Sequence, residues 1–67
     1  MSKSALTVDE IRKAFADITA ALEDAALVAT DGQAVTDLAN ARLTCDQLIE
    51  FLESCLRRSH RLRRRLG

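Results

Sequence analysis

Six arginines crowd the end of the chain, and they are the side chains in this sequence best suited to binding chemistry. Residues 1–53 hold ten acidic residues and four basic ones, whereas residues 54–67 hold six arginines and no acid. An arginine guanidinium can bind a phosphate or a carboxylate through two parallel hydrogen bonds. The candidate residues for binding an acidic partner are Arg57, Arg58, Arg61, Arg63, Arg64 and Arg65.

Several acidic partners fit such a segment. One is an acidic protein surface, and another is a nucleic-acid backbone, whose binding would weaken steeply as salt rises. The segment has no aromatic side chain to stack on bases, and the acidic remainder of the chain would repel a polyanion. A membrane surface is disfavoured because the segment carries no Trp or Phe anchor. Helix-dipole complementation and pairing of Arg57 with Glu53 offer a purely structural explanation for part of the cluster.

The sequence offers no catalytic or metal-binding constellation. His60 is the only histidine, and no nucleophile with a base, no phosphate-binding glycine loop and no zinc-ligand spacing is present. Cys45 and Cys55 are separated by ~15 Å of rise on one helix, which is too far for a disulfide. Both fall on the predicted core stripe, where they would act as small apolar side chains. We therefore expect a non-enzymatic protein that needs no metal and no cofactor.

Heptad patterns on both sides of one polar break predict two helices. Thr7 and Glu10 have the spacing of a capping box, so helix 1 is predicted over about 8–29. The break at 30–32 contains Gly32, and helix 2 is predicted over about 33–65, with the basic segment 57–65 at its end. The stripe residues are Val8, Ile11, Phe15, Ile18, Leu22, Ala25 and Ala29 in helix 1, and Ala34, Leu38, Ala41, Cys45, Leu48, Leu52, Cys55, Ser59, Leu62 and Leu66 in helix 2.

The predicted fold is an all-α antiparallel helical hairpin, with residues 1–67 forming one domain. A short connection between two helices makes them antiparallel neighbours. Folding about residue 31 would place Phe15 near Leu48 and Val8 near Cys55. The last twelve residues of helix 2 would then project past helix 1 by ~18 Å. The sequence therefore predicts that the arginine segment overhangs the hairpin.

Helix 2 carries more apolar surface between residues 48 and 56 than one partner helix can cover. The candidate interface residues are Leu48, Ile49, Phe51, Leu52, Cys55 and Leu56. Two hairpins packed as a four-helix bundle would cover this surface, so we expect a homodimer. A different protein with an apolar or acidic surface is the alternative partner.

The chain resembles the ROP-type plasmid copy-number regulators in its length, its two heptad helices, its polar turn "TDGQ" and the "SCL" of Ser54–Leu56. That resemblance implies helical hairpins that dimerise into a four-helix bundle. The family binds RNA through basic and amide side chains of its first helix. Helix 1 here carries Asp9, Glu10, Asp17, Glu23 and Asp24, with only Arg12 and Lys13 as bases. The resemblance therefore implies the fold, and no binding residue is transferred from it.

These observations predict a small regulatory or adaptor protein that acts by protein–protein contact. Small accessory inhibitors of bacteria or phages fit this description. A nucleic-acid-binding regulator that uses the arginine segment is the alternative, and a structural subunit of a larger assembly is a third hypothesis. No signal peptide and no run of ~18 apolar residues occurs, so a cytoplasmic location is expected.

Overall fold

The computed structural model describes residues 6–67, which form two long helices joined by a short loop. Helix α1 spans Val8–Gly32 and helix α2 spans Leu38–Leu66. The helices pack against each other as an antiparallel hairpin. Its Cα atoms extend over 57 × 16 × 8 Å. The prediction of an all-α antiparallel hairpin is confirmed.

Both helices begin at a side-chain cap. The predicted capping box at the start of α1 is present: the Glu10 backbone N–H donates to Thr7 Oγ1 (3.1 Å), and the Thr7 N–H donates to Glu10 Oε1 (3.0 Å). At the start of α2, Asp37 Oδ1 accepts from the Asn40 backbone N–H at 2.8 Å. Each cap satisfies backbone donors that have no partner within the helix, and so fixes where the helix starts.

The predicted turn at 30–32 is wrong, because α1 continues through Gly32 and the loop comprises residues 33–37. The helix ends in a tighter turn, in which the Gln33 N–H donates to Thr30 O (3.0 Å) and the Ala34 N–H donates to Asp31 O (3.1 Å). Helix 2 accordingly starts five residues later than predicted.

Gly32 is the last residue of α1 and packs against α2. A Cβ built at this position would lie 3.2 Å from Thr44 Cγ2. The missing side chain therefore lets the last turn of α1 approach the first turns of α2 closely. A glycine in a polar stretch commonly indicates a turn. At this position, the close approach of the two helices explains the glycine instead.

The predicted arginine overhang is also wrong. With the loop at 33–37, α2 pairs with α1 much further along its own length, so the predicted neighbours Phe15 and Leu48 are not opposite each other. Thr44 lies beside Gly32, and Leu62, only 7% exposed, shares a groove with Ala14. The arginine segment therefore lies alongside the first turns of α1.

The seam between the helices is narrow and rich in small residues. Among the described residues, only Ala25, Cys55 and Leu62 are buried. The half-buried seam residues are Ile11, Ala14, Ile18, Ala21 and Val28 on α1, and Ala41, Thr44 and Leu48 on α2. A hairpin of this kind buries little apolar surface, which leaves many large apolar side chains exposed to water.

Candidate interaction surfaces

The two faces of the hairpin follow from which residues lie in the seam. Relative to a seam residue, the residue four positions later is rotated by about 40° around the helix axis. The residue one position before the seam residue is rotated by about 100° in the opposite direction. Because the helices are antiparallel, the same rotation on both helices leads to the same side of the hairpin. The reference seam residues, one heptad apart, are Ile11, Ile18 and Ala25 on α1 and Ala41, Leu48, Cys55 and Leu62 on α2.

One side of the hairpin carries an apolar face along both helices, interrupted on α2 by Ser59 between Leu56 and Leu66. Its large apolar side chains are each 45–74% exposed. Large exposed apolar patches on monomeric proteins usually mark binding surfaces. The apolar face consists of Val8, Phe15 and Leu22 on α1 and of Leu38, Cys45, Ile49, Leu52, Leu56 and Leu66 on α2.

The apolar face contains no acidic side chain. Arg12, Arg42 and Arg63 each follow a seam residue by one position, which places them along its borders. The pattern is an apolar centre with charged edges, as is typical of surfaces that bind proteins.

A groove on the opposite side combines acidic residues of α1 with arginines of α2. Its floor is apolar, formed by Ala14, Ile18 and Leu62, and its volume is about 350 Å³. The charged residues that line it are Glu10, Lys13, Asp17, Arg58, Arg61 and Arg65. Because carboxylates and guanidinium groups line the same groove, their opposite charges partly offset each other.

The start of α1 also influences the charge state of Glu10. The hydrogen bonds with the Thr7 backbone and side chain lower the pKa of the Glu10 carboxyl, and Arg65 adds a smaller lowering effect. Both causes favour the ionised form, because hydrogen-bond donors and a nearby cation stabilise a carboxylate. The main cause of the lowered pKa therefore lies within the first turn of α1, and Arg65 contributes least.

The six predicted basic residues do not form one surface. Arg58, Arg61 and Arg65 line the groove with Glu10 and Asp17. The other three are exposed outside it: Arg57 and Arg64 lie one heptad apart on the outer side of α2, and Arg63 borders the apolar face, with its guanidinium donating to the Gly67 carbonyl. His60 is exposed on the same outer surface.

The six predicted interface residues of α2 also separate into two groups. Leu48, Phe51 and Cys55 lie at or beside the seam, and Phe51, 36% exposed, borders a shallow depression with Gln47, Glu50 and Ser54. The remaining three, Ile49, Leu52 and Leu56, belong to the apolar face.

Sequence reasoning missed the contribution of α1 to this face. Val8, Phe15 and Leu22 were predicted to be core residues, but only half of the heptad stripe enters the seam. The same division corrects the prediction for the cysteines, since Cys55 is buried and Cys45 is exposed. A stripe too wide for a single neighbouring helix was the available signal.

Within residues 6–67, no group of three or more His, Cys, Asp or Glu residues is placed to hold a metal ion. In the same part of the chain, neither helix combines the length and apolar character needed to cross a membrane.

Comparison with protein-family models, with curated proteins and with solved structures finds no match to this chain.

Proposed function

We propose that this chain is a non-enzymatic regulatory or adaptor protein that acts by protein–protein contact, and that two hairpins pair through their apolar faces as a four-helix bundle. The observation that carries the proposal is the apolar face, which runs along both helices without an acidic residue. A helix stripe that faces the centre of a four-helix bundle contacts two neighbouring helices at once. The division of the stripe between seam and apolar face is what such a bundle requires.

The exposed area supports the need for a partner. The hairpin exposes 5509 Å² for a mass of 7.4 kDa. A compact monomer of this mass exposes about 4200 Å², from the scaling of surface with mass. The chain therefore exposes more surface than a compact monomer of its mass, and a second copy packed on the apolar face would reduce that exposure.

In this proposal, the outer arginines recruit a larger protein. Arg57 and Arg64 are exposed on the side away from α1, with no acidic residue of α1 beside them in the groove. They remain accessible when the apolar face is covered, because they lie on a different side of α2. Such a pair of guanidinium groups would bind carboxylates on an acidic protein surface.

Nucleic acid is the second candidate partner, and the same exposed arginines favour it. Binding of this kind depends on phosphate contacts, so affinity falls as salt rises. Removal of residues 57–67 would be an unsuitable test, since it deletes the buried Leu62. The double substitution Arg57→Gln/Arg64→Gln removes the exposed charge and leaves the seam intact.

Sedimentation equilibrium and a nucleic-acid titration together test the proposal. We expect a species of twice the 7.4 kDa chain mass at micromolar concentration, and no salt-sensitive binding of duplex DNA or structured RNA. A fully helical chain that sediments as a monomer would contradict the bundle. Tight binding of either nucleic acid that is lost in the double arginine variant would replace the adaptor function with the nucleic-acid function.

A further inference from the structure

The charges of the hairpin are separated along its long axis. Gly32 lies beside Thr44 near the loop, and Ala14 shares a groove with Leu62 near the other end, so residue 20 of α1 lies roughly level with residue 56 of α2. Residues 20–56, the loop half, hold seven acidic residues and one arginine, a net charge of −6. Residues 6–19 and 57–67, the open half, hold three acidic and eight basic residues, a net charge of +5.

This separation differs from the one visible along the chain. Along the sequence, a mostly acidic stretch is followed by a basic end. If that end were a free tail, the positive charge would lie apart from the two helices. Folding brings the arginines alongside the first turns of α1, where Arg12 and Lys13 add to the positive charge. The negative charge of the loop half is thereby left without compensation, and the hairpin carries a large electric dipole along its axis.

Two hairpins that share their apolar faces through a twofold axis have two arrangements. An axis parallel to the helices puts both loops at the same end and packs α1 of one copy against α2 of the other. An axis perpendicular to the helices puts the loops at opposite ends and packs each helix against its own counterpart. The first arrangement brings like-charged halves together, and the second brings halves of opposite charge together.

We propose that the occupant of the apolar face is a second copy of this chain oriented with its loop at the opposite end, so that the open half of each copy lies beside the loop half of the other. This inference rests on the proposed four-helix bundle and specifies its topology. Neighbouring helix axes lie about 8–10 Å apart, which is within the Debye length of about 10 Å at 0.1 M salt. The charged side chains border the apolar face or point away from it, so they are further apart than the helix axes. The charges of the two halves therefore interact across the interface mainly at low ionic strength.

A distance between the two loops tests the orientation directly. A nitroxide label is attached at Ala34→Cys in a chain with Cys45→Ala and Cys55→Ala, after circular dichroism has confirmed its helicity. Double electron–electron resonance then gives the distance between the labels. A helix of 29 residues is about 43 Å long, so loops at opposite ends predict a distance of about 40 Å or more. Loops at the same end predict a distance below about 25 Å, because neighbouring helix axes are only about 8–10 Å apart.

Salt dependence of the unmodified chain provides a second measurement that needs no substitution. Raising the ionic strength from about 0.01 M to about 0.1 M shortens the Debye length from about 30 Å to about 10 Å. Attraction between opposite halves is then screened, so the dimer should dissociate several-fold more readily. In the alternative arrangement the screened force is a repulsion, and salt would tighten the dimer.

The outcomes separate this inference from the proposed function. A long distance with salt-weakened association supports the orientation. A short distance, or association that salt strengthens, overturns the orientation and leaves the four-helix bundle standing. A monomer throughout, seen by sedimentation with normal helicity, overturns both the inference and the bundle on which it rests.

Discussion

Removal of one side chain from the centre of the apolar face should weaken self-association far more than removal of a similarly exposed side chain elsewhere on the same helix. Leu52 lies on the apolar face and is 45% exposed. Leu43 is 62% exposed on the outer side of α2, away from that face. The substitutions Leu52→Ala and Leu43→Ala thus remove the same atoms from the same helix, and they differ in which side of the hairpin is changed.

The expected size of the effect follows from the exposed fraction. A change from Leu to Ala removes three carbons, worth about 2.4 kcal/mol when fully buried at about 0.8 kcal/mol for each. If a second copy covers the 45% of Leu52 that is exposed, the lost burial amounts to about 1 kcal/mol per chain, or about 2 kcal/mol per dimer. This corresponds to a dissociation constant raised by about 30-fold.

Sedimentation equilibrium over a range of concentrations measures both dissociation constants, and circular dichroism checks that each variant keeps its helicity. We expect Leu43→Ala to change the dissociation constant by no more than about twofold, since surface substitutions away from an interface change free energies by under about 0.5 kcal/mol. Equal weakening by the two substitutions would show that general loss of helix stability dominates. An unchanged constant for Leu52→Ala would refute the assignment of the apolar face as the interface.

Three further predictions concern the cysteines, the start of α1 and the close approach at the loop. In dilute protein, the thiol of the exposed Cys45 should react quickly with Ellman's reagent, and it should become protected as the protein concentration rises. The thiol of the buried Cys55 should react only when the protein unfolds, so two equally fast thiols per chain would contradict the packing. Because the folded-state pKa of Glu10 is lowered, its contribution to stability is present above the unfolded pKa of about 4.3 and is lost as pH falls through the folded value. The free energy of unfolding measured in urea should therefore be higher for the wild type than for Glu10→Gln at pH 7. This difference should vanish near pH 2, and a difference that grew at low pH would contradict the reasoning. Gly32→Ala should stabilise the hairpin through its higher helix propensity, by up to about 1 kcal/mol, only when Thr44→Ser has removed the methyl group that the new side chain would meet. A double-mutant cycle measured by thermal unfolding should therefore show coupling between the two substitutions, and strictly additive effects would argue against the contact.

The sequence alone determined the two helices and the first cap. Heptad spacing of apolar residues is a local property, and Thr7 with Glu10 forms a box within a single turn, so neither depends on distant contacts. The sequence also showed that helix 2 is too apolar for a single neighbour. This conclusion needed only the width of the stripe.

Tertiary structure alone decided the register of the two helices, and with it the environment of the arginines. Gly32 lies at the end of α1, where its missing side chain permits the close contact with Thr44, a requirement that no local pattern reveals. The resulting shift of the loop to 33–37 moved the arginine segment from a predicted overhang to the side of α1. In the same way, the half of the stripe that remains exposed depends on how each helix is rotated about its axis, which packing against the other helix determines.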